Sequence, residues 1–175
     1  MKRTLILVLA VFALTAASFA ANPSGAATLA VSATVAGSVQ IVISQDASGA
    51  ALTNGGTNAA SLAFGTVSAT TASANNITIT NNSGASTFTV STPVDVKVTL
   101  ANSTSSKYTL TAQLSTNDGN TWTVGGVAVT NGSAAQITNN GSYGTATSEA
   151  VAVTIPYSLT SGTVNNTITF TATAN

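Results

Sequence analysis

The sequence predicts an all-β fold, an antiparallel two-sheet β-sandwich of roughly eight to ten strands. Three observations carry that prediction. Apolar and polar residues alternate with a period of two in one segment after another, as in strands with one buried face. These segments recur about every ten residues, with Gly- and Asn-rich turn signals between them. No helical periodicity follows the N-terminal run. Strands of a parallel sheet would instead read as continuous apolar runs.

The chain opens with Met1-Lys-Arg3, an apolar stretch from Thr4 to Leu14, and the small-x-small triplet Ser18-Phe19-Ala20. A basic start, a short apolar core and such a triplet predict a secretory signal cleaved after Ala20. The apolar run is too short to span hydrocarbon comfortably, and no second one follows, so no membrane span is expected once the signal is gone. Residues 21–175 are then expected to form one domain, exported to the extracellular space or the cell surface.

The first alternating segment lies at 27–35. Leu29, Val31, Ala33 and Val35 share one parity, and Ser32 and Thr34 the other. The pattern is the same whether this strand pairs within its own domain or completes a neighbour's. Past Ala36-Gly37, Val39, Ile41 and Ile43 continue the odd-numbered face, so Leu29 to Ile43 is one bent strand or two. Gln45 to Ala60 is rich in Gly, Asn and Ala, contains the Asn54-Gly55 turn signal, and reads as a loop. Ser61–Val67, then Asn76–Thr80, Asn81–Gly84 and Thr87–Val90, read as strand, strand, turn, strand.

Val94, Val96, Val98 and Leu100 alternate with Asp95, Lys97 and Thr99, and Pro93 suits the start of that strand. Tyr108, Leu110, Ala112 and Leu114 form the next dry face. Asn117–Asn120 then predicts a hairpin turn into Trp122 and Val124. Val127–Val129 and Ala134–Ile137 follow. Two long strands close the chain, around Val151–Tyr157 and Ile168–Thr173, with Gly162 in the turn between them. Pro156 predicts an edge or a bulge.

Charged residues make up only 5% of the chain, so hydroxyls and amides must keep it in solution. Removing the signal leaves Lys97 and Lys107 against Asp46, Asp95, Asp118 and Glu149, a net charge of −2. No basic stripe exists to neutralise phosphates, which excludes nucleic acid as a partner. With no histidine and no cysteine, Ser-His-Asp and Cys-His catalysis and imidazole or thiolate metal sites are excluded. The four scattered carboxylates predict no acid/base pair, so no enzyme, no cofactor and no metal are expected. Ser115-Thr-Asn-Asp-Gly-Asn-Thr-Trp122 resembles the Asp-box, S-x-D-x-G-x-T-W, with Asn117 in place of its first Asp. That resemblance implies a turn locked by side-chain hydrogen bonds with Trp122 packed inward. Tyr143, in a Gly/Asn-rich loop, is the one aromatic expected to be exposed for ligand contact, whereas Tyr108, Trp122 and Tyr157 share parity with core residues.

Phe64-Gly-Thr-Val67 followed by Ile77-Thr-Ile-Thr-Asn81-Asn82 resembles a pattern common in exported immunoglobulin-like domains, so the sandwich is expected to be immunoglobulin-like or jelly-roll-like. The whole layout is similar to secreted fibre subunits. These include the camelysin/TasA-like biofilm fibre proteins and archaeal bundling pilins, and secondly the spore-coat-U or chaperone-usher subunits, whose usual cysteines this chain lacks. The resemblance implies a structural subunit of a surface fibre, pilus or biofilm matrix, joined to other copies of itself in a head-to-tail filament. Residues 27–35 are then the donor strand, with Leu29, Val31, Ala33 and Val35 as its plugs. The alternative is a monomeric, non-catalytic adhesive domain or carbohydrate-binding module, with surface glycans as partner.

Overall fold

The computed structural model describes Ala30, Ser32, Ala33 and residues 38–101 and 103–175. Among them are eleven strands, one short 3-10 turn and no α-helix, and every strand pairing is antiparallel.

The strands are β1 (Ser38–Gln45), β2 (Leu52–Thr53), β3 (Ser61–Leu62), β4 (Thr78–Asn82), β5 (Thr87–Ala101), β6 (Lys107–Leu114), β7 (Thr121–Val124), β8 (Val127–Val129), β9 (Ala135–Ser142), β10 (Ala146–Pro156) and β11 (Ile168–Ala174). A six-stranded sheet runs β1-β5-β10-β7-β8, with β4 also paired to β5. A three-stranded sheet runs β11-β6-β9, and β2 and β3 form a small hairpin of their own.

The long β5 organises the larger sheet. Its even-numbered residues from Phe88 to Val98 are all buried, while the odd ones are half-buried. Tyr108, Leu110, Ala112 and Leu114 of β6 are buried in the same alternating way. These two rows join Trp122, Val124, Val129, Val151, Val153 and Ile155 in one apolar cluster, so the core draws on both sheets. Full burial of such a side chain contributes about 1.5–3 kcal/mol, which makes this cluster the main source of stability.

Several sequence expectations change here. Thr87–Val90 and Val94–Leu100 are one strand, not two, with Pro93 in its middle. Along β10 the pairing is continuous from Thr87 to Lys97. On its other edge β5 changes partner, pairing with β4 through Ser91 and with β1 from Val94. The Pro93 carbonyl faces Gly49, in the gap between those partners, so the missing proline N–H falls where no ladder bond is needed.

Asn117–Asn120 is not a hairpin turn, because β6 and β7 lie in different sheets. It carries the chain across. The hairpin in this region joins β7 to β8 through Gly125 and Gly126, both at positive φ (56° and 79°), which the tight turn requires. Within the predicted loop Gln45–Ala60, Leu52–Thr53 pairs with Ser61–Leu62. Pro156 ends β10 paired with Thr87 of β5 but past the Val151–Thr154 stretch that pairs with β7, so its missing N–H falls on a locally unpaired side. No helix among the described residues is long and apolar enough to cross a membrane.

Candidate functional site

The side of the molecule bounded by β1 and β11 differs from the rest of the core. Val39, Ile41 and Ile43 have the core-facing parity on β1, yet none is fully buried and Val39 is 36% exposed. On β11, Ile168, Phe170 and Ala172 lie opposite the buried Leu114, Ala112 and Leu110 of β6 but are themselves only half-buried. β1 runs alongside β11. The two edge strands thus bring their incompletely buried apolar side chains to one side of the core.

The backbone on this side is open as well. Ile43 donates its N–H to the Thr57 carbonyl (2.9 Å) and accepts from Gly56 N–H (2.8 Å). In an antiparallel strand every second residue directs its N–H and C=O the same way, so Val39 and Ile41 direct theirs outward too. Nothing among the described residues pairs with them. At the two ends of β11, the Thr167 carbonyl accepts from the Ser115 N–H just past β6 (2.9 Å) and the Asn175 N–H donates to the Lys107 carbonyl of β6 (3.0 Å). By the same alternation Ile168, Phe170 and Ala172 turn their backbone groups to the free edge. Unpaired backbone beside half-covered apolar side chains is what an added strand pairs with.

Of the four predicted plugs, Leu29, Val31 and Val35 lie outside the described residues. Ala33 is exposed and belongs to no strand. Tyr143 is half-buried. Its hydroxyl donates to the Lys107 carbonyl (3.1 Å) and its ring lies tilted against Tyr108, with centroids 5.2 Å apart. The hydroxyl and one ring face are therefore engaged inside the molecule. Tyr108 and Trp122 are buried, and Tyr157 is half-buried, stacked on Phe88 and hydrogen-bonded to Asn81.

A polar cleft, which sequence reasoning missed, opens between β9 and the start of β10. It encloses about 450 Å³ and is lined by Thr138, Asn140, Gly141, Ser142, Thr145, Thr147 and Glu149. Glu149 shares the inward parity of Val151 and Val153 and is only 9% exposed, with its carboxylate against Gly125. Burial pushes its carboxyl above the ordinary 4.5. Nearby, burial also raises the Tyr108 phenol, opposed by a hydrogen bond with Thr147 and reinforced by Glu149 and Tyr143. Lys107, which could have neutralised Glu149, is on the outer face and donates to Ser142 Oγ (2.9 Å). The signal was legible only as parity: Glu149 is an acid in the odd-numbered series of β10.

The Asp-box-like turn is closed on itself. Asn117 Oδ1 accepts from Gly119 N–H (3.1 Å), Asp118 Oδ1 from Asn120 N–H (3.0 Å), and Asp118 Oδ2 from Trp122 Nε1–H (2.9 Å). Burial works to raise the Asp118 carboxyl, but the bonds from Asn120, Trp122 and Asn166 outweigh it and hold it below 3.8. Asp46 is similarly satisfied, and hydrogen bonds from Ser148 and Ser48 lower its carboxyl. No group of three acidic, histidine or cysteine side chains gathers among the described residues. Comparison with known protein families, curated proteins and solved structures finds no match to this chain.

Proposed function

We propose that the chain is an exported structural subunit of a cell-surface fibre, pilus or biofilm matrix. In this reading it is a non-catalytic two-sheet sandwich, of the immunoglobulin-like or jelly-roll-like kind, that assembles by strand complementation between copies. The observation that carries the reading is the open side, where β1 and β11 leave Val39, Ile41, Ile168, Phe170 and Ala172 half-covered beside backbone groups with no described partner. Export rests on the N-terminal signal pattern, and the fibre class on the resemblance to secreted fibre subunits.

The occupant is the segment 27–35 of a neighbouring copy. It has the right length, one dry face and no charge. A turn at Ala36-Gly37 back onto β1 would set Val35 opposite Ser38 and Thr34 opposite Val39. The four plugs would then fall on the outward parity, since a one-residue slip in register exchanges the faces of a strand. A neighbour's strand is free of that constraint. Donor and acceptor surfaces differ, so the contact is heterologous and repeats along a filament.

Size-exclusion chromatography and electron microscopy of protein beginning at Ala21, beside protein beginning at Ala36, test the reading. Filaments from the first and monomers from the second are expected. A stable monomer from the longer chain overturns it and favours a monomeric adhesive domain.

A further inference from the structure

Resting on the polymerising reading, we infer that the incoming strand adds to the free edge of β11, antiparallel to it, in one register. Val35 lies opposite Ile168, Ala33 opposite Phe170, Val31 opposite Ala172 and Leu29 opposite Ala174.

The edge follows from the arithmetic of the layers. The sheet β11-β6-β9 is three strands wide and the larger sheet five, since β4 and β1 share one edge of β5, and β11 ends the smaller sheet beside the under-covered β1. A strand beside β11 makes the smaller sheet four wide and brings its inward side chains against Val39 and Ile41. A strand beside β1 would widen the sheet that is already larger and leave Phe170 as it is. The β1 edge is also blocked at one end, because Gly56 and Thr57 already take the Ile43 backbone groups. Among the described residues no loop backbone bonds to the outward groups of β11, which runs alongside β1.

The register follows from parity and pairing geometry. The backbone groups that face the free edge belong to Ile168, Phe170, Ala172 and, by the same alternation, Ala174. Four plugs of one parity fill four such positions in only one antiparallel and one parallel arrangement. The antiparallel one sets Ala33 beside Phe170, and Leu29 and Val31 beside Ala174 and Ala172, whereas the parallel one sets Leu29 beside Ile168 and Val31 beside Phe170. Every described pairing in the molecule is antiparallel, and antiparallel pairing is slightly the more stable per residue. Pairing geometry therefore favours the antiparallel strand.

The chain has no cysteine, so introduced thiols report only the designed pair. Directly opposed residues of an antiparallel pair have Cα atoms about 4.5–5.5 Å apart, within disulfide reach. Full-length mature protein carrying Leu29→Cys is mixed with protein carrying Ala174→Cys, or with protein carrying Ile168→Cys, and oxidised. Positions 168 and 174 lie about 20 Å apart along the strand, so the two mixtures distinguish the two orientations. Cross-linked dimer from the first mixture and none from the second is expected. Cross-linking in the second mixture alone overturns the antiparallel register. Filaments with no cross-link in either mixture overturn the β11 edge while leaving polymerisation standing. The double variant Leu29→Cys/Ala174→Cys cross-linking only within single chains overturns both.

Discussion

Replacing Thr92 with Val tests how the loop between β1 and β4 is fastened to the core. Thr92 is 1% exposed and sits among the inward valines of β5. Its hydroxyl accepts from the Ala50 N–H (2.8 Å) and donates to the Asn76 carbonyl (2.9 Å). Valine keeps the volume and removes both bonds. The exposed Asn76 can turn its carbonyl to water, but Ala50 is 2% exposed and its N–H loses the one partner it has among the described residues. An orphaned buried donor costs about 1–3 kcal/mol. For a domain of this size roughly 3–5 °C accompanies each kcal/mol, so the melting temperature falls by about 3–15 °C. Urea denaturation measures the loss, and hydrogen exchange locates it as lost protection in 46–77. Thr92→Ser keeps the hydroxyl and loses only a methyl, so it falls less. A Thr92→Val protein as stable as the parent, or a Thr92→Ser protein less stable than Thr92→Val, refutes the reasoning.

Three further outcomes follow from buried or strained positions. At Gly141 a methyl would overlap the Tyr108 ring, so Gly141→Ala forces the core's largest fully buried side chain to shift and lowers stability by about 1–3 kcal/mol, read by chemical denaturation. Asp118 titrates below 3.8 in the folded protein, so its contribution is complete above that pH and drains away as the pH falls through the folded value; Asp118→Asn loses stability at neutral pH but shows a flatter melting profile below pH 3.8. Glu149 has the opposite sign. Its folded carboxyl titrates above 4.5, so its destabilising effect is absent at low pH, sets in as the pH rises past 4.5, and is complete above the folded value; Glu149→Gln is more stable than the parent at neutral pH and equal to it in acid.

Alternation made most of the strands legible, because a half-buried strand must alternate and this chain has little other patterning. The parity of Val94–Leu100 and of Tyr108–Leu114 predicted the buried rows of β5 and β6, except that Leu100 is only half-buried. Parity does not say which sheet a strand joins. The Asn117–Asn120 turn looked local, and only tertiary packing carries β7 into the other sheet. Pro93 looked like a boundary because the rule for proline concerns a missing ladder bond, and here an exchange of edge partners removes the need for that bond. Thr92 and Glu149 were hidden for a related reason. Each is a polar residue on a dry face, one satisfied by a loop distant in sequence and the other set beside a cleft. Tyr143 stood in a Gly-rich stretch that suggests exposure, but the partner of its hydroxyl is the Lys107 carbonyl on another strand. The open side at β1 and β11 was invisible in the sequence, since edges are a property of topology.

The central claim, that residues 27–35 complete the open side of another copy, is met most directly by supplying that strand alone. Protein beginning at Ala36 is titrated with a synthetic peptide of residues 27–35, and its melting temperature is followed against a peptide carrying Val31→Thr and Val35→Thr. Saturable stabilisation by the natural peptide is expected, about 2.7 kcal/mol at a hundredfold excess over its dissociation constant, and much less from the altered one. An unchanged melting temperature at saturating peptide, or equal stabilisation by both, would contradict it.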